Sequence, residues 1–148
     1  MLQRFSASKL ATLLTQRSGE QRLGQLLALP ADSLSYTDVL AAHKAAGGQF
    51  VLLGISESIG PRANLGNAGA ELGWQAFLQR FLNLQANAAL APERILLLGE
   101  IDCADLQQRA TELNPQEPQQ LAQLRQLCAE LDERVASQLE PVLAANLY

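Results

Sequence analysis

The sequence predicts an α/β fold, a three-layer α/β/α fragment with several helices and a short parallel sheet that contains at least one βαβ unit. Three observations carry this reading. Phe50-Val51-Leu52-Leu53-Gly54-Ile55 and Ile95-Leu96-Leu97-Leu98-Gly99 are short apolar runs of the length expected for buried parallel strands. Between them, Trp74, Phe77, Leu78, Phe81 and Leu82 recur at helical spacing. Strand, helix and strand in that order make a right-handed crossover with parallel strands. The 148 residues suffice for one domain with a core of its own. The expected division is a helical lead-in over 1–48, the βαβ unit over 49–102, and a crossover with a long helix over 103–148.

Element by element, Ser6 to Leu29 reads as one or two short helices, broken near Ser18-Gly19 and stopped by Pro30. Ser33 to Tyr36 is a linker. Tyr36, Val39, Leu40 and His43 then follow an i, i+3, i+4, i+7 pattern that Gly47-Gly48 ends. After the first strand, Ser56 to Ala70 is too long and too glycine-rich for a plain connector. Loops at the carboxyl ends of parallel strands are where α/β proteins place their chemistry. The aromatic stripe that follows is the clearest buried helix face in the chain. The second strand closes in Glu100-Ile101-Asp102. Asp102 to Asn114 is a short helix or irregular crossover, ended by Asn114-Pro115 and Pro118. From Gln119 one long helix carries Leu121, Leu124, Cys128, Leu131, Val135 and Leu139 on a single stripe, and Pro141 should kink or break it. Two strands alone leave both sheet edges unpaired. The layout is that of the front part of a larger α/β protein, and that stripe is a second apolar surface without a predicted partner.

Composition narrows the function classes. Hydrophobic residues make up 48 % of the chain, with four Phe, two Tyr and one Trp as its aromatics. The formal charge of −4 comes without a basic cluster, which argues against a nucleic-acid partner. No apolar run has the length of a membrane span. Cys103 and Cys128 have no ligand spacing and read as free thiols in a reducing compartment. Arg4, Lys9 and Arg17, with no acid before Glu20, loosely match a transit peptide. An ordinary helix packing Leu10, Leu13 and Leu14 on the body explains the same residues, and the expected compartment is the cytoplasm.

Among the motifs, Gly54 and Gly60 frame the long loop, but no Lys-Ser or Lys-Thr follows and GxGxxG is absent, so the phosphate cradles fail. Glu57 follows the first strand, and Glu100 and Asp102 follow the second. Parallel strands bring such acids to one rim, as a metal or general-base position or as solvated caps. His43, the single histidine, sits on an apolar helical face and reads as a hydrogen-bonded interface residue. Ser56 and Ser58 lack the Gly-x-Ser-x-Gly setting of a nucleophile. Arg62 and Asn64 lie in the glycine-lined loop, where a guanidinium can hold a carboxylate at two points or can pin the loop through its own carbonyls.

At these residues a family resemblance enters. Leu53-Gly54-Ile55-Ser56-Glu57 through Arg62-Ala63-Asn64-Leu65-Gly66-Asn67-Ala68-Gly69-Ala70 resembles the start of the arginase, agmatinase and formimidoylglutamase superfamily, formimidoylglutamase-like members above all. Leu98-Gly99-Glu100-Ile101 resembles the Gly-(Asp/Glu)-Ile end of that family's second strand. Asn67 stands where the family loop has a second Arg, and Trp74 where it often has Pro. The resemblance implies an arginase-like parent, a manganese-dependent hydrolase of C–N bonds in formimidoyl or guanidino groups. In such a parent a metal-bound hydroxide attacks the planar carbon. Glu57, Arg62 and Asn64 would then be substrate-rim residues. The family's Gly-Gly-x-His, Asp-x-His-x-Asp and Ser-x-Asp-x-Asp motifs are absent, so this chain is expected to be an N-terminal fragment with no catalytic residue, metal ligand or cofactor of its own. The alternative is a non-catalytic α/β interaction or oligomerisation module derived from that fold. The expected partner is a second copy of the chain or a missing C-terminal half, with neither nucleic acid nor membrane.

Overall fold

The computed structural model describes residues 2–87 and 89–145. Its elements are β1 (Gln3–Arg4), α1 (Ala7–Leu13), α2 (Tyr36–Ala45), β2 (Phe50–Ile55), α3 (Ile59–Ala63), α4 (Gly73–Phe81), β3 (Ile95–Ile101), α5 (Ala104–Thr111) and α6 (Pro118–Ala144). Short 3-10 turns lie at Leu23–Gln25, Ala70–Leu72 and Pro92–Arg94. The fold is α/β. β2 and β3 pair in parallel from Phe50 against Ile95 to Ile55 against Ile101, with an irregularity between Leu52 and Leu53 that leaves Leu98 without an opposite residue.

Side chains alternate along these strands, and each face carries helices. Val51, Leu53, Leu96, Leu98 and Ile101 meet Val39 and Leu40 of α2 and Val135, Leu139 and Val142 of α6. Leu52, Ile95 and Leu97 meet Leu10 and Leu13 of α1 and Leu78 and Leu82 of α4, with Phe5 and Leu27 between them. Beyond the carboxyl end of the sheet, Ile59 and Ala63 of α3, Leu106 and Ala110 of α5, and Leu124, Leu127 and Leu131 of α6 close a further cluster. The α6 stripe, expected to lack a partner, therefore packs within its own chain. Pro141 does not end α6. It removes one N–H in the last turns, where little helix remains to be lost.

The lead-in differs from the helical segment expected. Among the described residues, only Ala7–Leu13 is α-helical before α2. Ser6 caps α1 by accepting from the Lys9 N–H. Ala28 is drawn into an extended bridge against Leu96, its N–H donating to Ile95 and its carbonyl accepting from Leu97. β1 pairs antiparallel with the same edge of β3, Gln3 against Glu100 and Arg4 against Gly99. The sheet order is thus β1-β3-β2. Gly99 makes the pairing sterically possible, because a Cβ there would overlap the Gln3 carbonyl oxygen. The expectation that both sides of the parallel pair are unpaired is corrected on the β3 side, which β1 and Ala28 cover, while β2 stays an edge strand among the described residues.

Candidate functional site

The two strand ends that carry Glu57 and Glu100-Asp102 do lie at one end of a parallel pair. The local sequence then ties each of them down. α3 forms inside the long loop because Ile59 and Ala63, four residues apart, reach the same buried cluster. Pro61 is tolerated in its first turn, where the missing N–H has no helical partner anyway. Gln107 holds the entry to α3 at two points: its Oε1 accepts from the Ser58 N–H at 2.8 Å and its Nε2 donates to Ser58 Oγ at 2.8 Å. Gln138 does the same at the end of β3, accepting from the Asp102 N–H and donating to the Asp102 carbonyl, both at 3.2 Å. No motif singled out these glutamines. Their only sequence signal is position, one polar residue facing a strand end from each neighbouring helix.

The rim residues are engaged in the same way. Glu57 accepts from the Gly60 N–H at 2.9 Å. Arg62 donates to the carbonyls of Ala110 and Leu113, where α5 ends. Asn64 donates from Nδ2 to the Gly60 carbonyl at 3.1 Å. Glu100 pairs with Lys9 at 3.2 Å. Arg62 thus acts as a brace between the loop and the end of α5, adding a donor to the Ala110 carbonyl, which also accepts from the Leu113 N–H, and to the Leu113 carbonyl just beyond the helix. Glu57, Arg62 and Asn64 share one loop, and each is committed to backbone groups.

His43 lies at the opposite end of the sheet. Its Nε2 is 3.3 Å from the Phe50 carbonyl and 3.2 Å from the Arg94 carbonyl. Both neighbours are acceptors, so Nε2 carries the proton. Among the described residues, no three His, Cys, Asp or Glu side chains are grouped so as to hold a metal ion. The residues present do not fit a two-manganese centre. Burial pushes the Cys103 thiol up, helped by the charges of Glu57 and Asp102, and burial raises Cys128 too. Cys103 accordingly donates to the Ser56 carbonyl as a thiol, at 3.3 Å, and neither sulfur is set up as a nucleophile.

A groove of about 370 Å³ opens where α1 and α4 end, lined by Thr12, Leu13, Thr15, Gln79, Arg80 and Asn83. Asn83 joins the two helix ends, its Nδ2 donating to the Leu13 and Gln79 carbonyls and its Oδ1 accepting from the Thr15 N–H. Arg80, in the last turn of α4, complements the negative end of that helix. This groove reads as a capping arrangement.

Among the described residues, no strand pairs with the outer side of β2. Every β3 residue is buried except the half-buried Glu100, whereas β2 runs from exposed Phe50 through half-buried Val51, Leu52 and Leu53 to exposed Ile55. The Trp74 indole lies across Gly54, where an added Cβ would overlap the ring. Trp74 stacks on Phe77 at 5.5 Å between centroids, and Phe77 on Phe81 at 4.9 Å. The α4 stripe is therefore split. Leu78 and Leu82 are fully buried, while Phe77 is 41 % exposed, so the expected wholly buried face is corrected to a half-buried one. Phe50, Ile55, Leu65, Leu72 and Phe77 are all large, apolar and exposed, and all fall within the β2-to-α4 segment. No helix among the described residues is long and apolar enough to cross a membrane. Comparison of the chain with protein-family models, curated proteins and solved structures finds no match.

Proposed function

We propose that this chain is a non-catalytic α/β interaction module that associates through the open edge of β2. The observation that carries the reading is a six-residue edge strand with no charged residue or proline, flanked by exposed aromatic rings. Natural sheets protect such edges with charges, prolines, bulges or a covering segment. An edge left bare is an attachment site, where main-chain hydrogen bonds supply affinity and side chains supply selectivity. The free thiols Cys103 and Cys128 suit a reducing compartment, and the cytoplasm is the proposed setting.

The resemblance to the arginase and formimidoylglutamase superfamily supplies a second reading, in which the chain is the N-terminal part of a C–N hydrolase and Glu57, Arg62 and Asn64 select its substrate. The parallel β2–β3 pair, with acids at one end, favours it. The engagement of all three rim side chains with backbone favours the module. Two measurements separate the readings. Amide exchange on dilute protein should find the outward N–H groups of β2 exchanging much faster than those of β3, whereas equal protection would overturn the open-edge reading. Titration with manganese should give no stoichiometric site, and the chain should release neither formamide nor urea. Either activity would restore the hydrolase.

A further inference from the structure

We infer that the partner of the β2 edge is a second copy of this chain, paired antiparallel across a two-fold axis that passes through Leu52 perpendicular to the sheet. The inference rests on the interaction-module reading and names its partner. A two-fold interface places one surface against itself, so whatever lines it must tolerate its own image. Like charges set opposite one another across strands destabilise a pair. From Gln49 through Ser56 the edge carries no charge at all, so its own image is an acceptable neighbour.

The pleat fixes the register further. An axis perpendicular to the sheet keeps each face on its own side, so residues opposite one another must share a face. With the axis at Leu52, Phe50 of one copy stands opposite Gly54 of the other. Phe50 is 57 % exposed and needs a cover. Gly54 offers no side chain to collide with, and the indole of Trp74 lies above it, continued by the exposed ring of Phe77. Each Phe50 ring therefore meets an aromatic surface, an arrangement that adds to plain area burial. An axis at Leu53 would set Val51 against Ile55 and leave Phe50 against Ser56, with its ring uncovered. Pairing at Leu52 also turns a three-stranded sheet into a continuous six-stranded one, close to the usual size of sheets.

The test uses the full chain. Sedimentation equilibrium across the micromolar range should show a monomer–dimer equilibrium. Phe50→Lys should weaken the dimer at least about tenfold, whereas Leu143→Lys, on the exposed side of α6, should leave it unchanged. With Cys103 replaced by Ala and Cys128 by Ser, Leu52→Cys should form an intermolecular disulfide on mild oxidation. Ile55→Cys should not, because the axis separates its two copies by roughly 20 Å at the rise of an extended strand. Cross-linking at Ile55 but not Leu52 would overturn the register. A monomer at every concentration, with β2 amides exchanging freely, would overturn the second copy alone. A monomer with protected β2 amides would overturn the open edge with it. Circular dichroism of each variant separates loss of pairing from loss of fold, and if Phe50→Lys unfolds the chain, the Leu52 and Ile55 cysteine pair decides.

Discussion

β2 and β3 are near copies in composition and opposites in environment. Phe50-Val51-Leu52-Leu53-Gly54-Ile55 and Ile95-Leu96-Leu97-Leu98-Gly99 both read as fully buried strands. Only β3 is buried, because β1 and Ala28 share its far edge while no strand among the described residues lies beyond β2. The difference teaches that apolar content records what a strand needs and says nothing about which molecule supplies it. For β3 the supplier is the chain's own first thirty residues. For β2 we propose that it is a partner.

The comparison breaks first at the strands themselves. Leu97→Ala, at a fully buried position of β3, should cost about 2–5 kcal/mol by urea unfolding. Ile55→Ala, at the exposed end of β2, should cost under ~1 kcal/mol in dilute protein. Equal costs would mean that the edge of β2 is covered. Next comes the brace at the end of β2. Arg62→Met removes the side-chain donor from the Leu113 and Ala110 carbonyls, the second of which keeps the Leu113 N–H, and should cost roughly 1–3 kcal/mol. Arg62→Lys should not restore it, because an ammonium lacks the planar fork that reaches both acceptors. A variant of normal stability would return Arg62 to the list of groups available to a ligand.

Smaller effects sharpen the picture. Leu65 holds a left-handed φ of 63° after α3, and Gly66 closes the turn by donating to the Pro61 carbonyl. Glycine is the usual occupant of that position, so Leu65→Gly should stabilise the chain by up to about 1 kcal/mol in thermal unfolding. Smallest of all is the effect of acid on the α5–α6 contact. Arg134 holds the Asp105 carboxyl below its usual range through a side-chain hydrogen bond, and Arg109 does the same for Glu130. Depressed carboxylates contribute stability above their unfolded values and lose it as pH falls through the lowered folded ones. Unfolding at neutral and mildly acidic pH should therefore match, with a slight loss below the ordinary carboxylate range. Because both pairs are exposed, high salt should remove most of it.

The sequence carried the βαβ core well. The short apolar runs of β2 and β3 are local patterns, and so are the stripes of α2, α4 and α6. β1 was not legible, because two residues show no alternation and their pairing depends on Gly99 some ninety-five positions away. The extended bridge at Ala28 has the same cause: a helix-like composition was overruled by a vacant strand edge. α3 was hidden by Pro61 and by the glycines around it, although Ile59 and Ala63 already had helical spacing. At the rim, Glu57, Arg62 and Asn64 were visible as polar residues in a glycine-bearing loop. Their partners were not, since all four acceptors and donors they use are backbone groups, contributed by Gly60, Ala110 and Leu113. The exposed edge was foreseen only as a shortage of strands, and its position became visible once β1 was known to cover the other side.

The most direct measurement is amide exchange resolved by residue, made on β2 and β3 at low and at high protein concentration. β3 is covered in the single chain and should exchange at the same slow rate in both. The outward amides of β2 should exchange quickly when dilute and slow by an order of magnitude or more when concentrated, as pairing withdraws them from water. Exchange in β2 that is independent of concentration would contradict the pairing of the edge with a second copy.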